Sequence, residues 1–188
     1  LNVSTTTTQP LSTPTVGRTE AIVYYLLDDR LVPVRRALPD GDLSTVFDAV
    51  MEPPAGTDGI SDLTTAIPAG TRARKLTRNG TTLEVDLTGD LENLAGTARQ
   101  QAAAQMVMTA TEFPGVRTVR FSINGTPIQV TSPVRGDRDT VDGCDFANLL
   151  LGAEQARADG LADEVVAHLE ATSATLGQRC PPPNGTRS

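Results

Sequence analysis

Few residues of this 188-residue chain combine a type and a spacing that could do chemistry. His168 is the only histidine, and it falls on or beside the apolar stripe of a C-terminal helical segment. A general base needs a Ser or Cys nucleophile in reach and a third group to orient it, and no recognisable spacing supplies them. A packed structural histidine is therefore the expectation, with a Cys144–His168 pair as the one conceivable catalytic arrangement. The run "DRDTVDGCD" gathers Asp137, Asp139, Asp142 and Asp145, as a hard cation would require, but misses the D-x-D-x-D-G spacing by one residue and lacks a closing Glu. It reads as a solvated acidic linker. "LTTAIPAGTR", residues 63 to 72, has Thr64, Thr65 and Arg72 beside a Pro-Gly loop but no Lys-Ser/Thr pair after its glycine, so phosphate cradling is not expected. "TEFPGVRTVRFSINGTPIQV", residues 111 to 130, holds Glu112, Arg117, Arg120 and Asn124 and remains the stretch to place.

Composition narrows the classes. With 38% hydrophobic and 21% charged residues the chain is globular, and 3% aromatics with no Trp leaves Val, Leu, Ile and Ala to build the core. A net charge of −7 repels phosphates, so no nucleic-acid partner is expected. No cofactor motif is present. Residues 1 to 19 are rich in Ser, Thr and Pro and read as a flexible tether. Cys144 and Cys180 bracket the C-terminal segment, and a disulfide between them suits an exported protein. The competing reading is two free thiols in a cytosolic protein, which the mass of the unreduced chain would separate.

The elements that must position these residues follow from pattern. "EAIVYYLL" is apolar on both faces, as a central strand is, and "RLVPVRRAL" follows across an Asp28-Asp29 turn with Pro33 demanding an edge or a bulge. Leu43, Val46, Phe47 and Val50 have helical spacing up to Pro53-Pro54. Asn79-Gly80 predicts a two-residue hairpin turn, pairing Leu76 with Leu83 and Lys75 with Glu84. Asp90 is expected to cap a long helix carrying Leu94, Ala98, Ala102, Met106, Ala110 and Phe113 on one stripe. Pro114-Gly115 ends it. Asn124-Gly125 predicts a second hairpin, with Phe121 facing Ile128, Val119 facing Val130, and "TPIQV" at an exposed sheet edge. Residues 132 to 143 read as the acidic linker, 144 to 180 as a helical extension closed by the disulfide, and 181 to 188 as a disordered tail.

This order, with "VYYLLDDRLVPVRRAL", "DAVMEPPAG", "LTTAIPAGTR", "LEVDLTGD" and "AQMVMTATEFPGVRTVRFSINGTPI", resembles the sporulation and spore germination domain family, called GerMN, over residues 20 to 131. The resemblance implies an extracytoplasmic α+β domain, held at the membrane by a lipid anchor upstream of this chain, as in actinobacterial lipoproteins. It also implies a non-enzymatic adaptor in an envelope complex.

The expected fold is α+β: a small, mostly antiparallel sheet with two helices on one face, plus the disulfide-closed extension. The expected function is binding of an envelope protein partner, through the sheet edge at Thr126, Ile128 and Gln129 or through Arg74, Lys75, Arg117 and Arg120 on the outer face of the hairpins. A peptidoglycan or carbohydrate-binding module is the alternative, and a hydrolase with an unrecognised site is third.

Overall fold

The computed structural model describes residues 18–56 and 59–180. The expected tether, apart from its last two residues, and the expected tail lie outside them. Strands β1 (Thr19–Leu27) and β2 (Arg30–Leu38) form an antiparallel ribbon. Asp28 and Asp29 turn it with φ of 46° and 64°, the positive values that a two-residue loop of this twist requires. Counting outward from that loop, Tyr24, Leu26, Leu31 and Pro33 fall where backbone groups point away from the partner strand. Pro33 therefore costs no ladder bond, and the register runs without a bulge.

The outward groups of a buried ribbon need partners. Tyr24 N–H donates to Thr109 Oγ1 (3.0 Å), and Tyr24 C=O accepts from Gln105 Nε2 (3.0 Å). Leu26 exchanges both backbone bonds with Thr64, and Leu31 C=O accepts from Leu151 N–H. Both ribbon edges thus find partners near the turn.

Helix α1 (Leu43–Met51) buries Val46, Phe47 and Val50. Its last carbonyls take the Tyr25 hydroxyl and the Arg36 guanidinium at Ala49 O (2.8 and 2.9 Å). A cation there complements the helix dipole.

Strands β3 (Ala73–Asn79), β4 (Thr82–Leu87), β5 (Thr118–Ile123) and β6 (Thr126–Ile128) make the main sheet in that order. Its hairpins are antiparallel, while β4 and β5 run parallel. The crossover between these two carries α2 (Gly96–Thr111), whose residues 101 to 110 are all buried. The small side chains of Ala102, Ala103, Ala104 and Ala110 permit that close approach on every side. The helix does not start at Asp90: a 3₁₀ turn spans Gly89–Asn93, and Gly96 has φ +54°, which interrupts any continuous helix. Asp90 instead accepts from Thr88 Oγ1 (3.1 Å).

The first main-sheet hairpin also differs from its expected register. Asn79 pairs with Thr82, so Gly80-Thr81 is the loop, Leu76 faces Val85 and Lys75 faces Asp86. β4 reads Leu-Glu-Val-Asp-Leu, and a slip of two leaves every face unchanged. What selects the register lies outside the hairpin: Thr81 C=O accepts from Arg117 N–H (2.8 Å), and the hydroxyls of Thr82 and Thr118 meet at 2.8 Å.

The stretch from 132 to 143 is folded, not a linker. β7 (Val130–Ser132) and β8 (Gly136–Arg138) form a hairpin, and β9 (Val141–Asp142) returns to pair with β5, setting Val141 against Val119. Val130 was expected in that place. Both valines are buried, so alternation alone could not choose between them. Helices α3 (Gly143–Phe146), α4 (Ala153–Ala158) and α5 (Asp163–Arg179) complete the chain, and Cys144 is bonded to Cys180. Phe146, Leu150, Leu151, Ala156, Val166, Leu169 and Leu176 join the same core cluster as the sheet. The α+β class and the disulfide-closed helical extension are as the sequence implied.

Candidate functional site

The main sheet is covered on one face. Leu83, Val85, Leu87, Val119, Phe121 and Ile123 point inward and are at most 1% exposed. The opposite face carries Lys75, Thr77, Thr82, Glu84, Asp86, Thr118, Arg120 and Ser122, all exposed or half-buried. Asp86 organises one corner of it. Its Oδ1 accepts from Gly125 N–H (2.7 Å) and from Ser122 Oγ (2.9 Å), tying β4 to the Asn124-Gly125 turn. The Gly125 N–H bond above all holds this carboxyl below its ordinary pKa, against the opposing pull of desolvation.

Of the residues expected to meet a partner, Lys75 and Arg120 lie on this face. Arg120 reaches Glu84 (3.9 Å) and Thr140 Oγ1 (3.5 Å), both loose contacts. Arg74 is committed to the turn through Asn124 Oδ1 (3.1 Å) and Asp86 (3.7 Å). The edge strand β6 is only three residues long. Thr126 is exposed there, Ile128 is half-buried against the core, and Gln129 has left the strand to bond Asp139 (3.1 Å). Pro127 pairs with Ser122 and has no donor to offer an added strand.

Arg117 belongs elsewhere. It lines a cavity of about 260 Å³ between the C-terminal end of α2, the β9–α3 junction and α5. At the wall of that cavity Glu112 Oε1 accepts from the Tyr24 hydroxyl (2.8 Å) and contacts His168 Nε2 (2.9 Å). The Tyr24 phenol is fully buried, and burial together with the Glu112 charge pushes its pKa well above the ordinary value. This is a histidine with its orienting carboxylate. Among the described residues no hydroxyl or thiol donates to His168, and Cys144 is spent in the disulfide. The arrangement anchors α5 to α2 and β1.

The acidic run is taken apart by specific partners. Asp137 accepts from Thr131 Oγ1 (2.6 Å) and Asp139 from Gln129. Asp145, wholly buried, takes a two-pronged contact from Arg135 at 2.6 and 2.5 Å, and Arg135 also reaches Asp142 (2.9 Å). Burial alone would raise the Asp145 pKa; the hydrogen bonds from Arg135, Ser132 and the Asp142 N–H outweigh it and hold the pKa below the usual value. Asp142 and Asp145 form a capping box on α3. Among the described residues no group of three or more His, Cys, Asp or Glu side chains is placed to hold a metal ion. Thr65 and Thr64 likewise serve the frame, the former bonding Gln105 (3.3 Å) and the latter the β1 edge.

The Glu112–His168 contact, the Arg135–Asp145 pair and the cavity were not foreseen. Their partners are separated by 56 and 10 residues, and only the folding of the extension brings them together. Isolated charged residues near apolar stripes were the one available signal.

These observations define an α+β domain with an antiparallel ribbon, a buried crossover helix and one open sheet face. Residues 22–129 match the family described as "Germane: Sporulation and spore germination", and the chain belongs to that family. Its fold is similar to the first GerMN domain of the sporulation protein GerM from Bacillus subtilis, at 18% identity and a TM-score of 0.52, over 66% of this chain and 97% of that one. The tandem GerMN domains of the same protein align at 21% identity and a TM-score of 0.49, over 64% of this chain but 43% of theirs. A protein assigned as a lipoprotein from Clostridium perfringens aligns at 15% and 0.45, over 76% and 99%. No curated protein matches the sequence. Among the described residues no helix is long and apolar enough to cross a membrane.

Proposed function

We propose that the chain is a non-enzymatic, extracytoplasmic binding domain of a cell-envelope complex, carried on a lipid anchor upstream, which recognises a protein partner through the outer face of β3, β4 and β5. The single observation that carries this reading is the one-sided sheet: the inward residues of β4 and β5 are at most 1% exposed, whereas Lys75, Thr77 and Arg120 stand open on the other face. Family membership supports the sporulation- or germination-type envelope setting. The Cys144–Cys180 bond supports an oxidising compartment. The face is favoured over the β6 edge, because three residues including Pro127 make a poor template for another strand.

A photo-crosslinking amino acid placed at Thr77, at Thr126 and at Glu170 on α5 tests the reading in cells. Crosslinks to one envelope protein from Thr77, lost with Arg120→Glu, are expected. Crosslinks only from Glu170 would refute the face, and tight binding of cell-wall fragments by the purified chain, abolished by Arg120→Glu, would replace the protein partner with a glycan.

A further inference from the structure

The cavity holding Arg117 lies on the other side of the sheet from the proposed partner face, and its charges are unevenly committed. Glu112 Oε1 accepts from the Tyr24 hydroxyl and contacts His168, and Asp142 Oδ1 accepts from Arg135 and the Cys144 N–H (2.8 Å). Arg117 and Arg179 also line it, and neither guanidinium has a hydrogen bond or ion pair with any described residue. The side chains at the cavity with no partner among the described residues are therefore two exposed cations, although the chain as a whole is acidic. Guanidinium groups select planar oxyanions through paired donors. Beside them Met108, Ala171 and Leu176 supply an apolar wall. At about 260 Å³ the space falls just short of the ~300 Å³ where sites for drug-sized ligands begin. It suits a fragment of one or two residues.

We propose that this cavity binds a peptide end: a carboxylate held by Arg117 and Arg179, with a small aliphatic side chain against Met108, Ala171 and Leu176. The nearby Glu112 and Asp142 carboxylates disfavour a dianion, so a carboxylate fits better than a phosphate. Residues from the family-matched region and from the extension contribute equally essential parts. Arg117 comes from the first, and Arg179 comes from the last turn of α5, beside the disulfide-bonded Cys180. The extension thereby completes a site that residues 22–129 alone could not form.

The probes are N-acetyl-alanyl-alanine, its C-terminal amide and inorganic phosphate, titrated into the full chain and followed by amide chemical shifts. The free acid is expected to shift the signals of Arg117, Thr118 and α5 residues 171 to 179. The amide should bind at least about tenfold more weakly, since it loses the charge-assisted pair. Arg117→Gln and Arg179→Gln should each cost about as much, while Arg138→Gln, exposed on β8 and outside the cavity, leaves binding unchanged. Equal binding of acid and amide, displacement of the acid by equimolar phosphate, or no shift in the cavity signals would each overturn the proposal. The acid-against-amide comparison uses the unaltered chain, so a variant that folds poorly cannot rescue it. Failure here would leave the outer-face reading standing, because the two surfaces share no residue.

Discussion

The family-matched region, residues 22–129, and the segment from 130 to 180 reach the same core by different means. In the first, regular ladders and one crossover helix bury long apolar side chains, and turns are set by short-range chemistry such as Asn124 at φ 51°. In the second, the strands are two or three residues long, and the elements are held by specific bonds: the β9 pairing, the Arg135–Asp145 contact and the disulfide. The difference teaches where each region will fail. The first spreads its stability over many apolar contacts and long ladders, whereas the second depends on a few bonds.

The strongest challenge to that contrast is Asp145→Ala. It leaves Arg135 facing a buried site without its main partner, and breaking a buried pair costs about 3–5 kcal/mol, here toward the low end because Arg135 keeps 30% exposure. Urea unfolding of this variant should show the loss. The same carboxylate has a folded pKa below its unfolded value, so its contribution is present above the usual carboxylate range. It is lost as pH falls through the folded pKa, and acid unfolding should begin earlier in Asp145→Ala.

Next in size is the paired change Cys144→Ser with Cys180→Ser. A link across 36 residues contributes about 2–4 kcal/mol, largely by restricting the unfolded chain. Thermal unfolding with and without reductant should give the unaltered chain the same drop, and the serine variant no response to reductant.

A smaller effect separates two hairpins that look alike in sequence. Asn124→Ala must hold φ 51° without the short polar side chain that lets Asn adopt the left-handed region, and it loses the Arg74 contact, at about 1–2 kcal/mol. Asn79 sits in the ladder opposite Thr82, and Asn79→Ala should stay within about 0.5 kcal/mol. Equal losses in the two variants would mean that Asn79 turns the first hairpin after all.

The same two hairpins show what was legible. Asn-Gly announced a turn in both places, and in the second it also gave the register, Phe121 against Ile128. In the first it did not, because β4 alternates so regularly that a slip of two changes no face. The choice belongs to Thr81, Thr82 and their contacts with residues 117 and 118. Likewise the acidity of residues 137 to 145 was plain, but whether those carboxylates meet water or an arginine depends on Arg135 folding back over α3. Of the expected partner residues, Lys75 and Arg120 share the open face, while Arg117 is on a separate surface that no spacing disclosed.

The central claim is that residues 130–180 are part of one cooperative core and that the outer sheet face is what remains open. Native-state hydrogen exchange in increasing urea tests it most directly. Amides of β9 and the interior of α5 should share the global opening free energy of α2 and β5, with Phe121 and Val166 exchanging through the same event. If residues 141 to 180 instead open together at low urea while α2 and β5 stay protected, the extension is a separate unit and the claim fails.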